Sequence, residues 1–435
     1  MKNKKHIENK RRVLRMEFLE ERTLLSAMPL TSGEYTELTS KYSAIALPET
    51  MDDLNIITLD IAEGDGLTEL RSAIETAGTT EKSDLIVVRT SADANTLTYT
   101  SSTDALSISI NSSAYGSLTI VGLGDTPLTL DAAQLSSVLS VTGSTTNLTI
   151  ANLTLTGGSA NYGGGICGDS GTYTITGSEI TGNTAKNYGG GIYGDSGTYT
   201  ITDSTITGNT AKYYGGGIYG YYGTYTITNT RISEDRAEYV GTGGSVNGGG
   251  IYNSGTLQLI NSEVVSNTAH SSYTGTYTNV TSQASGGGIY NTGTLTVTNS
   301  TIAGNTASWS NSKTSSYTGA WGGGIYNTGS KAKLYNTIVA ENTAENGADV
   351  YASTALTGSN NLSTYEVWSL DTNYLYDPNL SLFKDKERGD FSLVPNMQAF
   401  DRGSNEHAAN AGIDETWSDL AGNERFQNAA IDIGA

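Results

Sequence analysis

Gly-Gly-Gly-Ile recurs six times in this chain, with its isoleucine at 166, 192, 218, 251, 289 and 325. Sixteen or seventeen residues after each isoleucine comes Asn-Thr-Ala, beginning at Asn183, Asn209, Asn267, Asn305 and Asn342, with Asp235-Arg-Ala as the one variant. The interval from one isoleucine to the next is 26, 26, 33, 38 and 36 residues, so length varies only between the alanine and the following glycine triplet. One structural unit is therefore reused, with insertions at a single turn. A unit this short cannot bury its apolar side alone and must stack on its neighbours.

Within the unit the apolar residues alternate. Tyr173 and Ile175, Tyr199 and Ile201, Tyr225 and Ile227, Leu257 and Leu259, Leu295 and Val297, and Ala332 and Leu334 flank one polar residue each. Ile180, Ile206, Ile232, Val264, Ile302 and Val339 form another column. A period of two means half-buried strands. Short strands separated by Gly, Asn and Ser turns in about 22 residues fit one coil of a parallel β-helix, whose coils stack at ~4.8 Å. The expected fold class is all-β: a right-handed parallel β-helix, a pectate-lyase-like solenoid. Handedness follows from the general rule for parallel crossovers. Leu67, Leu70 and Ile74 share one face of a short helix, expected to cap the first open coil. The recurrent Asn183, Asn209, Asn267, Asn305 and Asn342 read as a structural column, stacked at a turn and bonding the next coil.

Composition agrees with strands and turns: 53 glycines, 27 tyrosines and only five prolines in 435 residues. Net charge is −20, and residues 1–27 carry eight Lys or Arg against four Glu, so the remainder has 16 basic and 40 acidic residues and a charge of −24. Such a body repels nucleic acid and anionic lipid. No transmembrane run appears, and the lone Cys167 rules out an internal disulfide. The Gly triplets precede no Lys-Ser/Thr, so phosphate binding is not expected.

Four segments carry resemblances. The Gly-Gly-Gly-Ile units followed by Asn-rich stretches resemble the repeats of polymorphic outer-membrane proteins and related bacterial adhesins, which implies a right-handed β-helix at a cell surface. Leu19, Glu20, Arg22, Leu24, Leu25, Ser26 and Ala27 resemble the Leu-Glu-Pro-Arg-x-Leu-Leu-Ser-Ala segment of exported planctomycete-type proteins, with Glu21 in place of Pro. Leu70, Arg71, Ala73 and Ile74 resemble the Asp-x-Gly-Ser-Leu-Arg-x-Ala-Ile opening of bacterial β-helix proteins. Asp377-Pro-Asn-Leu380, Asp390-Phe-Ser-Leu-Val-Pro395, Asp419-Leu-Ala-Gly-Asn423 and Ile431-Asp-Ile-Gly-Ala435 resemble a choice-of-anchor Q domain. No hydrophobic tail, sorting peptide or barrel follows Ala435, so the attachment device that the domain's name implies is expected to be missing. The expected organisation is a basic export segment at 1–27, with no conventional signal-peptide core. A linker at 28–54 and a β-helix at 55–365 follow, with regular repeats at 161–351, and a choice-of-anchor Q-like region at 366–435.

For function the sequence leaves two readings. After Ala237, Ala269 and Ala307, 10, 16 and 14 residues precede the next Gly triplet. These insertions leave one turn of three successive coils, so they are expected to project as adjacent loops carrying Tyr239, Tyr273, Tyr277, Trp309, Tyr317 and Trp321. Aromatics among Ser, Thr and Asn can stack on sugar rings and bond hydroxyls. The reading adopted is a secreted or cell-surface, adhesive protein whose partner is an extracellular polysaccharide or cell-surface component. The alternative is a polysaccharide lyase or glycoside hydrolase, which needs converging carboxylates, with Ca²⁺ only for lyase chemistry. No catalytic or metal-ligating set is assigned: His6, His270 and His407 are dispersed, and Asp169, Asp195, Asp203, Glu179 and Glu263 are scattered. Arg231 and Arg236 beside Glu234 and Asp235 read as a surface ion-pair network. No cofactor is expected.

Overall fold

The computed structural model describes residues 28–42, 44–61, 66–77, 79–110, 112, 114–275, 281–311, 318–354, 356–364, 373–377, 379–394, 399–425 and 430–435. The export segment read at 1–27 lies outside them. Each coil contributes one strand to each of three long sheets. Sheet 1 has eleven strands from Leu54–Asp60 to Leu356–Ser359. Sheet 2 has eleven from Thr96–Thr98 to Tyr374–Leu375, and sheet 3 has nine from Leu106–Ser109 to Val350–Ala352. Neighbours are parallel and in register, so that Tyr173, Tyr199, Tyr225, Leu257 and Leu295 sit above one another. This is the right-handed parallel β-helix expected from the repeats.

Its interior matches sizes across the lumen. In the middle coils sheet 1 points Tyr173, Tyr199 and Tyr225 inward, with ring centroids 4.4 and 4.6 Å apart and nearly parallel planes. Opposite them sheet 3 carries Gly168, Gly194 and Gly220, and a Cβ on Gly194 would lie 1.9 Å from the Tyr225 hydroxyl and 2.7 Å from the Tyr199 ring. In the next coils sheet 1 supplies Leu257, Leu295 and Ala332, and the glycine positions become Asn253, Asn291 and Asn327. These asparagines are buried and joined by Nδ2-to-Oδ1 hydrogen bonds of 2.6 Å. Large side chains thus face glycine, and smaller ones face asparagine, as a close-packed interior requires.

Two further buried ladders set the corners. Between sheets 1 and 2, Ser178, Ser204, Thr230, Ser262 and Ser300 each accept from the backbone N–H of the equivalent residue one coil back. After sheet 2 the chain takes a left-handed residue (Gly182, Gly208, Glu234, Ser266, Gly304, Glu341) and then the repeat asparagine. Asn183 donates to Asn209 at 3.0 Å, Asn267 to Asn305 at 3.0 Å, and Asn305 to Asn342 at 2.9 Å. Each amide also donates to a carbonyl of the preceding coil, as Asn209 does to Ile180 and Asn267 to Ile232. Asp349, an acceptor from Asn342, ends the run.

Asp235 occupies this ladder without an amide. Its Oδ1 accepts from Asn209, and its Oδ2, placed where other coils have an Nδ2 donor, has no partner. Burial drives its pKa well above the usual carboxylate range.

The first coils and the outer flanks of sheets 1 and 2 are covered. Helix α1 (Ser32–Lys41) is capped by Thr31 and Glu34, and its Tyr35 and Leu38 pack on the outer face of sheet 1 against Leu85, Val87 and Val121. Glu34 also binds Arg89 at 2.9 Å, which holds its pKa down to about 2. The stretch 28–54, expected as a linker, is therefore a folded strap wherever it is described. Helix α2 (Gly66–Ala77) buries Leu67, Leu70, Ala73 and Ile74 over the first coils and closes the lumen. The C-terminal region returns along the outside of sheet 2, where Phe383, Phe391 and Ile433 cover Val265, Ala303, Ile338 and Ala340. Its buried Arg425 donates to the carbonyls of Asn299 and Gly434.

Two outcomes follow. Gly194→Ala is expected to cost at least about 2 kcal/mol in denaturant melts. Adding Tyr199→Leu and Tyr225→Leu is expected to restore most of that loss; simple addition of the separate losses would refute size matching as the cause. Asp235→Asn is expected to stabilise. A raised folded pKa keeps the acid's contribution intact below about pH 4 and loses it as pH rises, so the variant's advantage should grow by about 1.4 kcal/mol per unit above that pH. Melts of both proteins between pH 4 and 8 would show a constant gap if Asp235 is instead ionised throughout.

Candidate binding surface

The residue after each Gly-Gly-Gly-Ile points opposite to the buried isoleucine, because side chains alternate along a strand. Register carries this position outward through Cys167, Tyr193, Tyr219, Tyr252, Tyr290, Tyr326 and Tyr351. The six tyrosines form one column on sheet 3, with successive centroids 5.3, 4.8, 5.2, 4.9 and 5.3 Å apart and planes within 20° of parallel. A second column just before the glycine triplets holds Tyr162, Tyr188 and Tyr214. Tyr188 lies 5.0 Å from Tyr219, and Tyr214 lies 5.3 Å from Tyr252. Most of these rings are half-buried, and burial raises the phenols of Tyr188, Tyr214, Tyr219, Tyr252, Tyr290 and Tyr326, and that of Tyr193 to about 12. The column is thus an uncharged stripe on an acidic protein. Because the rings cover one another's faces, it presents edges and hydroxyl groups outward.

The insertions are not loops over their described residues. Arg236–Gly241, Thr268–Tyr273 and Thr306–Asn311 extend a fourth, six-stranded sheet outward, and Gly244–Asn247, Ser282–Ser285 and Thr318–Trp321 return as a three-stranded sheet. The two layers form a stacked arm with a small core of Ala237, Ala269, Val246 and Ala284, lined by Tyr239. Ser271 and Ser282 bond each other inside it at 2.9 Å. The sequence hides this because the strands are short and filled by alanine and serine.

Of the six aromatic residues expected to share a face, the four described ones are separated by this arrangement. Tyr239 stacks on Tyr213 at 5.4 Å, with the Lys212 ammonium over both rings. Tyr273 is buried. Trp309 follows Tyr239 and Ser271 in one column and donates to Glu345 at 2.7 Å. Trp321 lies in the return layer, in the column continuing Tyr188, Tyr214, Asn247 and Ser285. Tyr277 and Tyr317 lie outside the described residues. The tyrosine column was missed, although Ile-Tyr after five of the six triplets carries its signal.

The charged patch pairs differently from the expected network. Arg231 binds Glu263 one coil on at 2.5 Å, and Arg236 binds Glu238 at 2.6 Å, whereas Asp235 is buried in the asparagine ladder. Burial raises the Glu263 pKa against the pull of Arg231. Arg231→Met should leave that carboxyl buried and unpaired, costing about 3 kcal/mol at neutral pH and less in acid as Glu263 protonates. Pairing it with Glu263→Gln should recover most of the loss in the same denaturation assay.

Among the described residues no helix is long and apolar enough to cross a membrane, which does not bear on a β-barrel. Two stretches, 177–195 and 203–221, match the model of the Chlamydia polymorphic membrane protein repeat. Each runs from the turn after sheet 1 through the buried asparagine and the glycine triplet to the end of the sheet 3 strand. No curated protein matches the chain.

Proposed function

We propose that this is a non-enzymatic, exported β-helix protein displayed at a bacterial surface or in its matrix, where the tyrosine column and adjoining arms hold an extended, uncharged polysaccharide along the helix axis. The column carries the reading. Rigid tyrosines offer large amphipathic contact area at small entropic cost, and here six stand about one strand spacing apart in a line. Such a lattice offers a hydroxyl and an apolar edge at each step, which suits a linear polymer of hydroxylated rings. Acidity of the body disfavours polyanions and leaves neutral chains. Similarity to the polymorphic membrane protein repeat supports a surface location, as do the likenesses of residues 19–27 to planctomycete-type export segments and of 377–435 to a choice-of-anchor Q domain.

The test is retention of the purified chain on a panel of neutral and acidic polysaccharides, with Tyr252, Tyr290 and Tyr326 replaced together by Thr and folding checked by melting. Retention on a neutral polymer should fall at least tenfold in the variant, and equal retention would overturn the reading. Release of unsaturated or reducing ends by the parent chain would replace it with a lyase or hydrolase.

A further inference from the structure

The tyrosine column is more open in its later coils than in its earlier ones. Tyr219 is only 7% exposed, because Tyr188, Tyr214 and Tyr221 surround it with ring centroids 5.0, 6.4 and 6.0 Å away. Tyr252, Tyr290 and Tyr326 are half-buried, and Tyr351 is 36% exposed. These last four rings follow one another at 5.2, 4.9 and 5.3 Å, with planes within 13° of parallel.

A second feature changes at the same coil. Two residues past the outward position, at the turn into sheet 1, the earlier coils have Asp169, Asp195 and Tyr221, whereas the later ones have Ser254, Thr292, Thr328 and Ser353. The N–H of each of these four donates to the carbonyl of the residue equivalent to its own predecessor, one coil back, so the hydroxyl residues are in register too. Thr292 and Ser353 are exposed, and Ser254 and Thr328 are half-buried. On the other side of the rings run Asn247, Ser285, Trp321 and Asn346. The later coils therefore carry an uncharged strip that repeats one phenol and one aliphatic hydroxyl per coil, at a strand spacing of ~4.8 Å. Each hydroxyl can both donate and accept.

A chain that uses every step of this strip must be straight and must advance by one unit per coil. In pyranoses joined from C1 to C4 by equatorial bonds, the two linkages leave opposite ends of the ring, so the chain is extended. Each unit then advances by about one ring length, close to the tyrosine step. An axial bond at C1 bends the chain into a coil, and linkage through C3 turns it at every ring. Both lose the line within a few units, so linkage decides which neutral chain can set one sugar on each coil.

We infer that the coils from Tyr252 to Tyr351 hold four consecutive units of a β-1,4-linked chain of neutral hexoses, one unit per coil, between the phenols and the serine and threonine hydroxyls. This assignment rests on the column being a polysaccharide surface. The test is calorimetric titration of the full chain with β-1,4-linked glucose dimer, tetramer and hexamer, and with α-1,4- and β-1,3-linked glucose tetramers, which differ from the second probe in linkage alone. The β-1,4 tetramer should bind at least tenfold more tightly than the dimer and than either other tetramer, with the hexamer within threefold of it and no dependence on salt. Tyr290→Thr should weaken the tetramer at least fivefold and Thr292→Val at least threefold, with melting curves confirming that both variants fold. Equal affinity for the three linkages, a further tenfold gain from tetramer to hexamer, or unchanged binding in both variants would each overturn the assignment. If the parent chain is retained on a neutral polysaccharide but binds none of these oligomers, the assignment fails and the surface reading stands. If it is retained on none, both fail.

Discussion

In-register stacking through buried amides is the constraint on which the rest of the structure depends. The sheet hydrogen bonds of a parallel β-helix all run between coils and none is sequence-local, so each corner must be specified by contact with the coil above and below. Here the asparagine after sheet 2 does this with both halves of its amide: Oδ1 accepts from the preceding coil, and Nδ2 reaches a carbonyl there and the next asparagine. Buried amides without partners cost a few kcal/mol each, and a slip by one residue would orphan the whole run. The ladder therefore reinforces the register that the buried apolar faces also demand, since a one-residue slip would turn each inward side chain to solvent.

That constraint explains which parts of the sequence are legible. Residues that must sit above their own copies appear as spaced repeats, so the coil length, the inward isoleucines and the asparagine corner can all be read from intervals alone. What is not copied cannot be read this way. The strap at 28–54 and the C-terminal cover are single-use segments. Their trace lies instead in the strands beneath them: Leu85-Ile-Val-Val88 and Ile338-Val-Ala340 lose the alternation of half-buried strands because both faces are covered. The arms are obscured for a different reason. Their interior is alanine and serine, too small to produce the bulky alternation that marks a strand, and aromatic residues among them draw attention to side chains that turn out to be buried, stacked on the body or spread over different layers.

The same stacking makes surfaces periodic. Any residue type placed at an outward position of the repeat becomes a linear array at the strand spacing, whether or not it binds anything. Threonine fills most such positions on sheet 1, at 172, 174 and 176 and their copies at 198–202 and 224–228, as β-propensity alone would choose. Tyrosine on sheet 3 differs because it continues after the interior has changed. The inward tyrosines stop at Tyr225, where leucine replaces them and asparagine replaces the facing glycine, whereas the outward tyrosines run on through Tyr351.

This divergence separates packing from display. Inside, tyrosine persists only while glycine makes room for it, so its extent is set by complementary volume. Outside, no partner limits it, and the insertions that lengthen the later coils add arms beside the column without interrupting it. The boundary where the single-use C-terminal cover meets the repeating turn column follows a third logic. Its carboxylates come from both kinds of segment: Asp203 and Glu263 from the coils, Asp390 and Asp419 from the cover. A site built at such a boundary can vary with the cover while the coils stay fixed, whereas a site on the column can change only coil by coil. The molecule therefore carries one surface whose geometry is dictated by the repeat and one whose geometry is dictated by the exception to it.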